Sequence, residues 1–207
     1  MEKPPSRAKG VAFKELLIWL DHRLGRDKLQ LALSRLPPEY KGIVRLEDDN
    51  FGILSGSWYP FPCVHRLIDG LTASMTKQER FDLAQDAARA VMDVTLHGIY
   101  KAVVRAFVSP ALYAKFATKL WTSYYDSGEF KVIISADGNS ADCTIRNWGG
   151  HHPFVCDMNL AAATAIYEAM GQIGASTKRV SCIVEGAGMC RYITTWGDPV
   201  RSVDKRR

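Results

Sequence analysis

The last third of the chain alternates apolar and polar residues in segments that predict two β-hairpins. Residues 129–136 and 140–148 alternate on either side of Asp137-Gly138, a dipeptide typical of a two-residue hairpin turn. Residues 179–185 and 190–196 repeat the arrangement around a glycine-rich turn. Because side chains in a strand alternate between the two faces of a sheet, each segment should bury one face.

Helical patterns occupy much of the remainder of the chain, apart from 37–57, which is predicted to be a loop or short strand pair. Residues 154–171, between the hairpins, are rich in Ala, Leu and Met and end at a glycine. Apolar residues recur at helical spacing over 11–24 and 28–36. The run TKQE at 76–79 is a capping box, and Ser109-Pro110 pairs an N-cap with a proline at the first helical position. The sequence therefore predicts an α+β fold, with a helical N-terminal half packed on a ββαββ unit that has an antiparallel sheet.

Four of the five cysteines lie in the ββαββ region, and their spacing indicates a metal site. Cys143, Cys156, Cys182 and Cys190 are separated by 13, 26 and 8 residues. This is not the spacing of a zinc ribbon or finger, where ligands come in close C-x2-C pairs. Four thiolates meeting at one end of a sheet would suit tetrahedral Zn²⁺. The alternative is four small buried side chains, because free cysteine packs like a hydrophobe, and that is the interpretation we favour for Cys63.

The predicted elements suggest how the thiols could meet. Cys182 and Cys190 flank one hairpin turn, so their side chains can converge. On its strand Cys182 is expected to share a face with Val180 and Val184. Cys156 stands near the start of the helix, where free N–H groups and the helix dipole favour a thiolate.

This part of the chain resembles the 4-vinyl-reductase-type domain, a small-molecule-sensing module of bacterial regulators. In that family one acidic residue and three cysteines hold a zinc ion, and the last two cysteines flank a glycine-containing turn. Cys156, Cys182 and Cys190 match the three cysteines, and the hairpin reads CIVEGAGMCRYITTW. Cys143 stands where the family has its acidic ligand. The resemblance therefore implies a structural zinc held by four thiolates.

Over nearly its whole length the chain also resembles a myxobacterial paralogous family. The matching segments are KGVAFKELLIWL, WYP, SPALYAKFATKLWTSYYDSGEF and CRYITTW. That family belongs to one superfamily with H-NOX haem domains and TRAPP subunits. The resemblance implies a noncatalytic sensor of a small hydrophobic or aromatic molecule that signals through protein contacts. Its alternatives are a TRAPP-like interaction module, which forms a homodimer or binds a protein partner, and an enzyme acting on a tetrapyrrole-like substrate.

The helix predicted over 109–127 is rich in aromatic residues. Such a stripe is most often core, but the tyrosine and tryptophan side chains need hydrogen-bond partners when buried. A cavity between this helix and the sheet would suit a small apolar ligand. Its candidate lining residues are Tyr113, Phe116, Trp121, Tyr124, Trp148 and Tyr192.

The histidines offer further chemistry. His97 lies in a helical segment from which an imidazole could bind haem iron, but the Tyr-x-Ser-x-Arg motif of H-NOX domains does not occur, so haem is not expected. His151 and His152 precede Cys156 closely enough for a Cys–His nucleophile pair or alternative metal ligands, although a loop pair of histidines is usually solvated. No P-loop, dinucleotide fingerprint, G-x-S-x-G or H-E-x-x-H sequence occurs, so no known type of enzyme is indicated.

Composition sets the outer bounds. With 207 residues, 47% of them hydrophobic, the chain can form one domain over 10–198, with a flexible tail over 1–9 and a basic tail over 199–207. No apolar run is long enough to span a membrane, and a cytoplasmic location, where thiols stay reduced, is expected. The net charge of +5 lies largely in the tails, so nucleic-acid binding is not expected.

Overall fold

The computed structural model describes residues 5–97 and 109–197. Four α-helices lie within 5–97: α1 (Gly10–Leu24), α2 (Arg26–Ser34), α3 (Phe61–Thr72) and α4 (Lys77–His97). Short 3-10 helices, Pro38–Tyr40 and Asp49–Gly52, lie between α2 and α3. The helices predicted over 11–24 and 28–36 are thus confirmed as α1 and α2.

Both helix starts predicted from capping residues are confirmed. Thr76 Oγ1 accepts a hydrogen bond from the Glu79 N–H at 3.2 Å, and the Glu79 carboxylate accepts from the Thr76 N–H at 2.7 Å. This reciprocal pair precedes α4. Ser109 Oγ accepts from the Leu112 N–H at 3.3 Å and begins α5 (Pro110–Tyr124).

Part of the predicted N-terminal tail is ordered. Arg7–Lys9 form strand β1, which pairs antiparallel with β2 (Trp58–Pro60). The Arg7 guanidinium also forms an ion pair with Asp126 at 2.7 Å, which fastens the segment to the region after α5. The remaining tail predictions, for 1–4 and 199–207, lie outside the described residues.

The predicted ββαββ unit is confirmed. Its strands are β3 (Glu129–Ile134), β4 (Ser140–Arg146), β5 (Ser176–Ser181) and β6 (Cys190–Thr195), and its helix is α6 (Pro153–Ala169). The strands form one antiparallel sheet in the order β3-β4-β6-β5. Alternate residues of β3, β4 and β6 are buried on one face of the sheet. Helix α6 packs on β5 and β6 and against α4, while α5 packs beside β3.

The expected face shared by Val180, Cys182 and Val184 is wrong. The pairing of β5 with β6 shifts register between Arg179 and Ser181, and β5 ends at Ser181. Val180 and Val184 are consequently 50% and 37% exposed, whereas Cys182 is buried. A β-bulge inserts one extra residue, and this breaks the period of two on which the expectation rested.

None of the helices in the described ranges is long and apolar enough to cross a membrane.

Candidate metal centre and ligand cavity

The turn between β5 and β6 brings two cysteine sulfurs together. Cys182 follows β5, a short 3-10 helix (Ile183–Glu185) comes next, and Gly186 reverses the chain with a φ of 88°, in the left-handed region that glycine tolerates best. The turn places Cys182 Sγ 3.0 Å from Cys190 Sγ. The predicted convergence of these two thiols is therefore confirmed.

Helix α6 and the loop before it complete a group that we call the thiol cluster, made of His151, Cys156, Cys182 and Cys190. Cys156 lies in the first turn of α6, and its Sγ is 3.9 Å from Cys190 Sγ. His151 Nδ1 lies 3.3 Å from Cys190 Sγ and 3.8 Å from Cys156 Sγ. The donor atoms of His151, Cys156 and Cys190 all lie within 4.8 Å of one another, so this buried triad could bind a metal such as zinc.

The electrostatics of the cluster concentrate negative charge on Cys190. Its pKa is lowered to about 3, because the Cys156 thiol, His151 and Cys182 all hydrogen-bond to its sulfur, as does the Ile183 N–H at 3.4 Å. The pKa of Cys156 is raised by its hydrogen bond to Cys190 and by burial. That of Cys182 is raised mainly by burial. A metal cation bound by these sulfurs would stabilise the thiolate form of each of them, so that none would need to keep its proton.

His151 is oriented by packing. Its ring meets the Trp148 indole edge-on, with centroids 5.2 Å apart, and its Nε2 atom is buried without a hydrogen-bond partner among the described residues. Gly150 permits the close approach, because a Cβ there would lie 2.4 Å from the Trp148 ring and 2.5 Å from Phe61. The Nδ1 atom is thus aimed at the thiols while the other edge of the ring faces the interior.

The fourth predicted ligand, Cys143, lies apart from this cluster. In the β4–β6 register Cys190 pairs with Ile145, whereas Cys143 pairs with Tyr192, two residues further along each strand. Two residues of β-strand correspond to about 7 Å. Cys143 is buried in the wall of a cavity, with Tyr167 as its polar neighbour. His151, which the sequence offers as an alternative metal ligand, lies beside the other three cysteines instead.

That cavity lies between the helices and the buried face of the sheet, and its volume is about 380 Å³. Of the six residues predicted to line it, Tyr113, Trp121, Tyr124 and Tyr192 do so. Phe116 does not line it and is 38% exposed. Trp148 is buried but lies behind the wall.

Trp148 instead joins the cavity wall to the thiol cluster. Its ring packs against three residues that line the cavity, at centroid distances of 4.9 Å for Trp121, 5.0 Å for Tyr125 and 5.2 Å for Phe61. The same ring also contacts His151. Trp121 is held by a hydrogen bond from its Nε1 to the Ser127 carbonyl at 3.0 Å.

Much of the cavity wall could not be identified from the aromatic pattern of one helix. It also includes apolar residues of α1, α4 and α6, which are typical of ordinary core positions in the sequence. Examples are Phe13, Leu16, Ala88, Val91, Met92, Met158, Ala163 and Ile166. Within the described part of the chain, the wall contains no charged side chain and no histidine. The side chain of His97 lies outside what the structure describes.

Solved structures of H-NOX proteins resemble this chain. The Fe(II) unliganded H-NOX protein from K. algicida has a TM-score of 0.67 at 15% identity, covering 93% of this chain and 98% of that one. The H-NOX protein from S. oneidensis in the Fe(II)NO ligation state has a TM-score of 0.66 at 11% identity, covering 92% and 99%. The chain therefore has an H-NOX-like fold, as the superfamily resemblance implied. No family model matches the sequence, and neither does any curated protein.

Proposed function

We propose that this chain is a noncatalytic, zinc-stabilised module that binds a small apolar molecule and passes its ligand state to a protein partner. The observation that carries the proposal is the cavity of about 380 Å³ inside an H-NOX-like fold. It is mostly apolar, with a few polar groups from tyrosine, serine, threonine and asparagine side chains. Ligand sites of small molecules commonly have this size and lining.

The thiol cluster supports the zinc part of the proposal. With Zn–S distances of about 2.3 Å, the ligand atoms of a tetrahedral site lie about 3.8 Å apart. Cys190 Sγ lies 3.0–3.9 Å from the ligand atoms of the other three residues, and His151 Nδ1 lies 3.8 Å from Cys156 Sγ, which is near that value. Of the described residues, His151, Cys156 and Cys190 are the three whose donor atoms all lie within 4.8 Å of one another. Three cysteines and one histidine form a common structural zinc set, and four protein ligands leave no open position for catalysis. We therefore assign the zinc a structural role in the 4-vinyl-reductase-like region.

Metal analysis of the protein purified without added metal tests this assignment. We expect one zinc per chain, lost or much reduced in Cys156→Ser, Cys190→Ser and His151→Ala. Cys63→Ser is the matched control, because Cys63 is a buried thiol outside the cluster. Cys143→Ser decides between the two possible fourth ligands. If it loses zinc while His151→Ala keeps it, the ligand set is the four cysteines and not the thiol cluster.

The described cavity wall offers no cationic group to haem propionates. A haem site needs an axial ligand and groups that neutralise two propionates. Among the described lining residues, Cys143 and the tyrosines belong to types that can ligate haem iron, but none is cationic.

The alternative is a TRAPP-like interaction module whose cavity is vestigial, and an internal volume of about 380 Å³ favours a ligand-binding role over it. Native mass spectrometry of freshly purified protein tests that choice. We expect a population heavier than chain plus zinc, released as a small organic molecule on denaturation. As a second measurement, a thermal-shift screen tests whether neutral aromatic or aliphatic compounds raise the melting temperature. A chain that carries no small molecule and is stabilised by no compound would leave the interaction module as the better function.

A further inference from the structure

The cavity contains one polar group that the protein itself leaves unused. Tyr167, on α6, is 1% exposed and lines the cavity, and its hydroxyl has no hydrogen-bond partner in the described structure. Its polar neighbour, the Cys143 thiol, influences its pKa but forms no hydrogen bond of ordinary geometry with it. A buried hydroxyl without a partner is destabilising, so such a group is normally paired when the site is filled.

Tyr167 is also held in place. Its ring stacks on Trp196 with centroids 4.7 Å apart and meets Tyr113 edge-on at 5.9 Å. Both neighbours are buried, so the hydroxyl has little freedom to turn toward solvent. A hydroxyl fixed in this way can bind a ligand group without losing further side-chain entropy.

The protonation states of Tyr167 and Cys143 indicate which kind of ligand group can bind to them. A free tyrosine hydroxyl has a pKa of about 10 and a free thiol one of about 8.5, so at neutral pH both groups carry their protons. A tyrosine hydroxyl is a good donor that can also accept, whereas a thiol does both only weakly. The O–H proton of Tyr167 has no acceptor among the described residues. The complementary ligand group is an acceptor.

The remaining residues of the cavity wall indicate that the ligand carries no charge. The described lining residues carry no formal charge, and a carboxylate, phenolate or ammonium buried among them would lose its hydration without compensation. Building on the proposed ligand-binding role, we propose that the cavity selects a neutral, mainly apolar molecule with one hydrogen-bond acceptor, such as a carbonyl oxygen, which receives the Tyr167 O–H. The described wall offers fatty-acid carboxylates and propionate-bearing tetrapyrroles no charged partner, so we expect them to bind more weakly.

Three probes of one shape test the proposal on the full chain: acetylnaphthalene, ethylnaphthalene and naphthoate, all substituted at the same ring position. Dissociation constants are measured at neutral pH by tryptophan fluorescence and by calorimetry. We expect the ketone to bind about three- to tenfold more tightly than the hydrocarbon, which is the contribution of one neutral hydrogen bond. Naphthoate should bind most weakly. Equal affinities, or tightest binding of naphthoate, would overturn the inference.

Tyr167→Phe removes the hydroxyl and keeps the ring. It should abolish the preference for the ketone while leaving ethylnaphthalene affinity unchanged, and it should not lower the melting temperature, since the hydroxyl makes no hydrogen bond within the protein. Tyr125→Phe, in the same wall, is the matched control and should retain the preference. A preference that survives in Tyr167→Phe overturns the assignment to this residue. If all three probes bind equally, the protein binds ligands but the proposed preference for an acceptor is wrong. If none binds, the inference is wrong, and native mass spectrometry still tests the proposed function independently.

Discussion

The Trp148 indole packs edge-on against the His151 imidazole, with ring centroids 5.2 Å apart. The same indole contacts Trp121, which lines the cavity, at 4.9 Å. One side chain therefore touches both the thiol cluster and the cavity wall. The two proposed sites are connected by direct packing.

Replacing Trp148 should disturb both sites. Trp148→Ala is expected to lower the free energy of unfolding by about 3–5 kcal/mol, because a large buried ring is removed and its space is only partly refilled. Zinc affinity should fall as well, since His151 loses the ring that orients it. Urea unfolding and zinc competition measure the two effects. Trp58→Ala, which removes a partly exposed indole from β2, is the control and should leave zinc affinity unchanged. Wild-type zinc affinity in Trp148→Ala would contradict the orienting role.

The spacing of the sulfurs predicts which disulfide forms when metal is absent. Cys182 and Cys190 are 3.0 Å apart, closer than Cys156 and Cys190 at 3.9 Å. After chelation, a mild oxidant should join Cys182 to Cys190, as detected by peptide mapping without reduction. Zinc-loaded protein should resist, because its thiolates are engaged by the metal. Cys182→Ser should prevent this bridge and Cys63→Ser should not. A dominant Cys156–Cys190 bridge would contradict the geometry.

Alkaline stability should depend on the buried thiol of Cys63. Burial raises its pKa from 9.0 to about 11. Between these values the unfolded chain loses a proton that the folded chain keeps, so stability falls as pH rises. The free energy of unfolding should fall by up to about 2–3 kcal/mol between pH values below 9 and above 11. Urea unfolding from pH 8 to about 11 should show a shallower decline for Cys63→Ala than for the parent. Parallel curves would show that this thiol does not contribute.

Acid stability should depend on His65. Its ring stacks on His152 at 4.8 Å, and its pKa is lowered from 6.5 to about 4, mainly by burial and then by His152. The unfolded chain gains a proton first as pH falls, so stability is fully present above about 6.5 and is lost toward 4. His65→Gln cannot be protonated and should flatten this part of the profile. His22→Gln, at an exposed position, should not.

The capping box of α4 gives a prediction independent of either site. Thr76→Ala removes the hydroxyl that accepts from the Glu79 N–H, and it should lower the free energy of unfolding by about 1 kcal/mol. Thr76→Ser keeps the hydroxyl and should cost much less. Urea unfolding of both variants at neutral pH measures the difference. Equal losses would assign the effect to the methyl group instead of the cap.

Local rules in the sequence determined the secondary structure and half of the candidate site. The capping residues at Thr76 and Ser109 and the alternation of β3 and β4 act over a few neighbouring residues, and each predicted element formed. The chain also reverses at Asp137-Gly138, but through a longer loop than the predicted two residues, because the last hydrogen-bonded pair is Ser135 with Ser140. The meeting of Cys182 and Cys190 followed from the same short-range logic, because both flank one turn.

Tertiary structure decided the other half. Cys143 and His151 are both plausible ligands by residue type, and the choice between them depends on the register of β4 against β6 and on the path of the loop before α6. The bulge at Val180 likewise changes which side chains are buried, though no local pattern marks it. The described wall of the cavity draws residues from nine helices and strands, most of which look like core in the sequence, and only their packing leaves a space between them. Such features depend on contacts between residues far apart in the chain, which the order of residue types does not specify by itself.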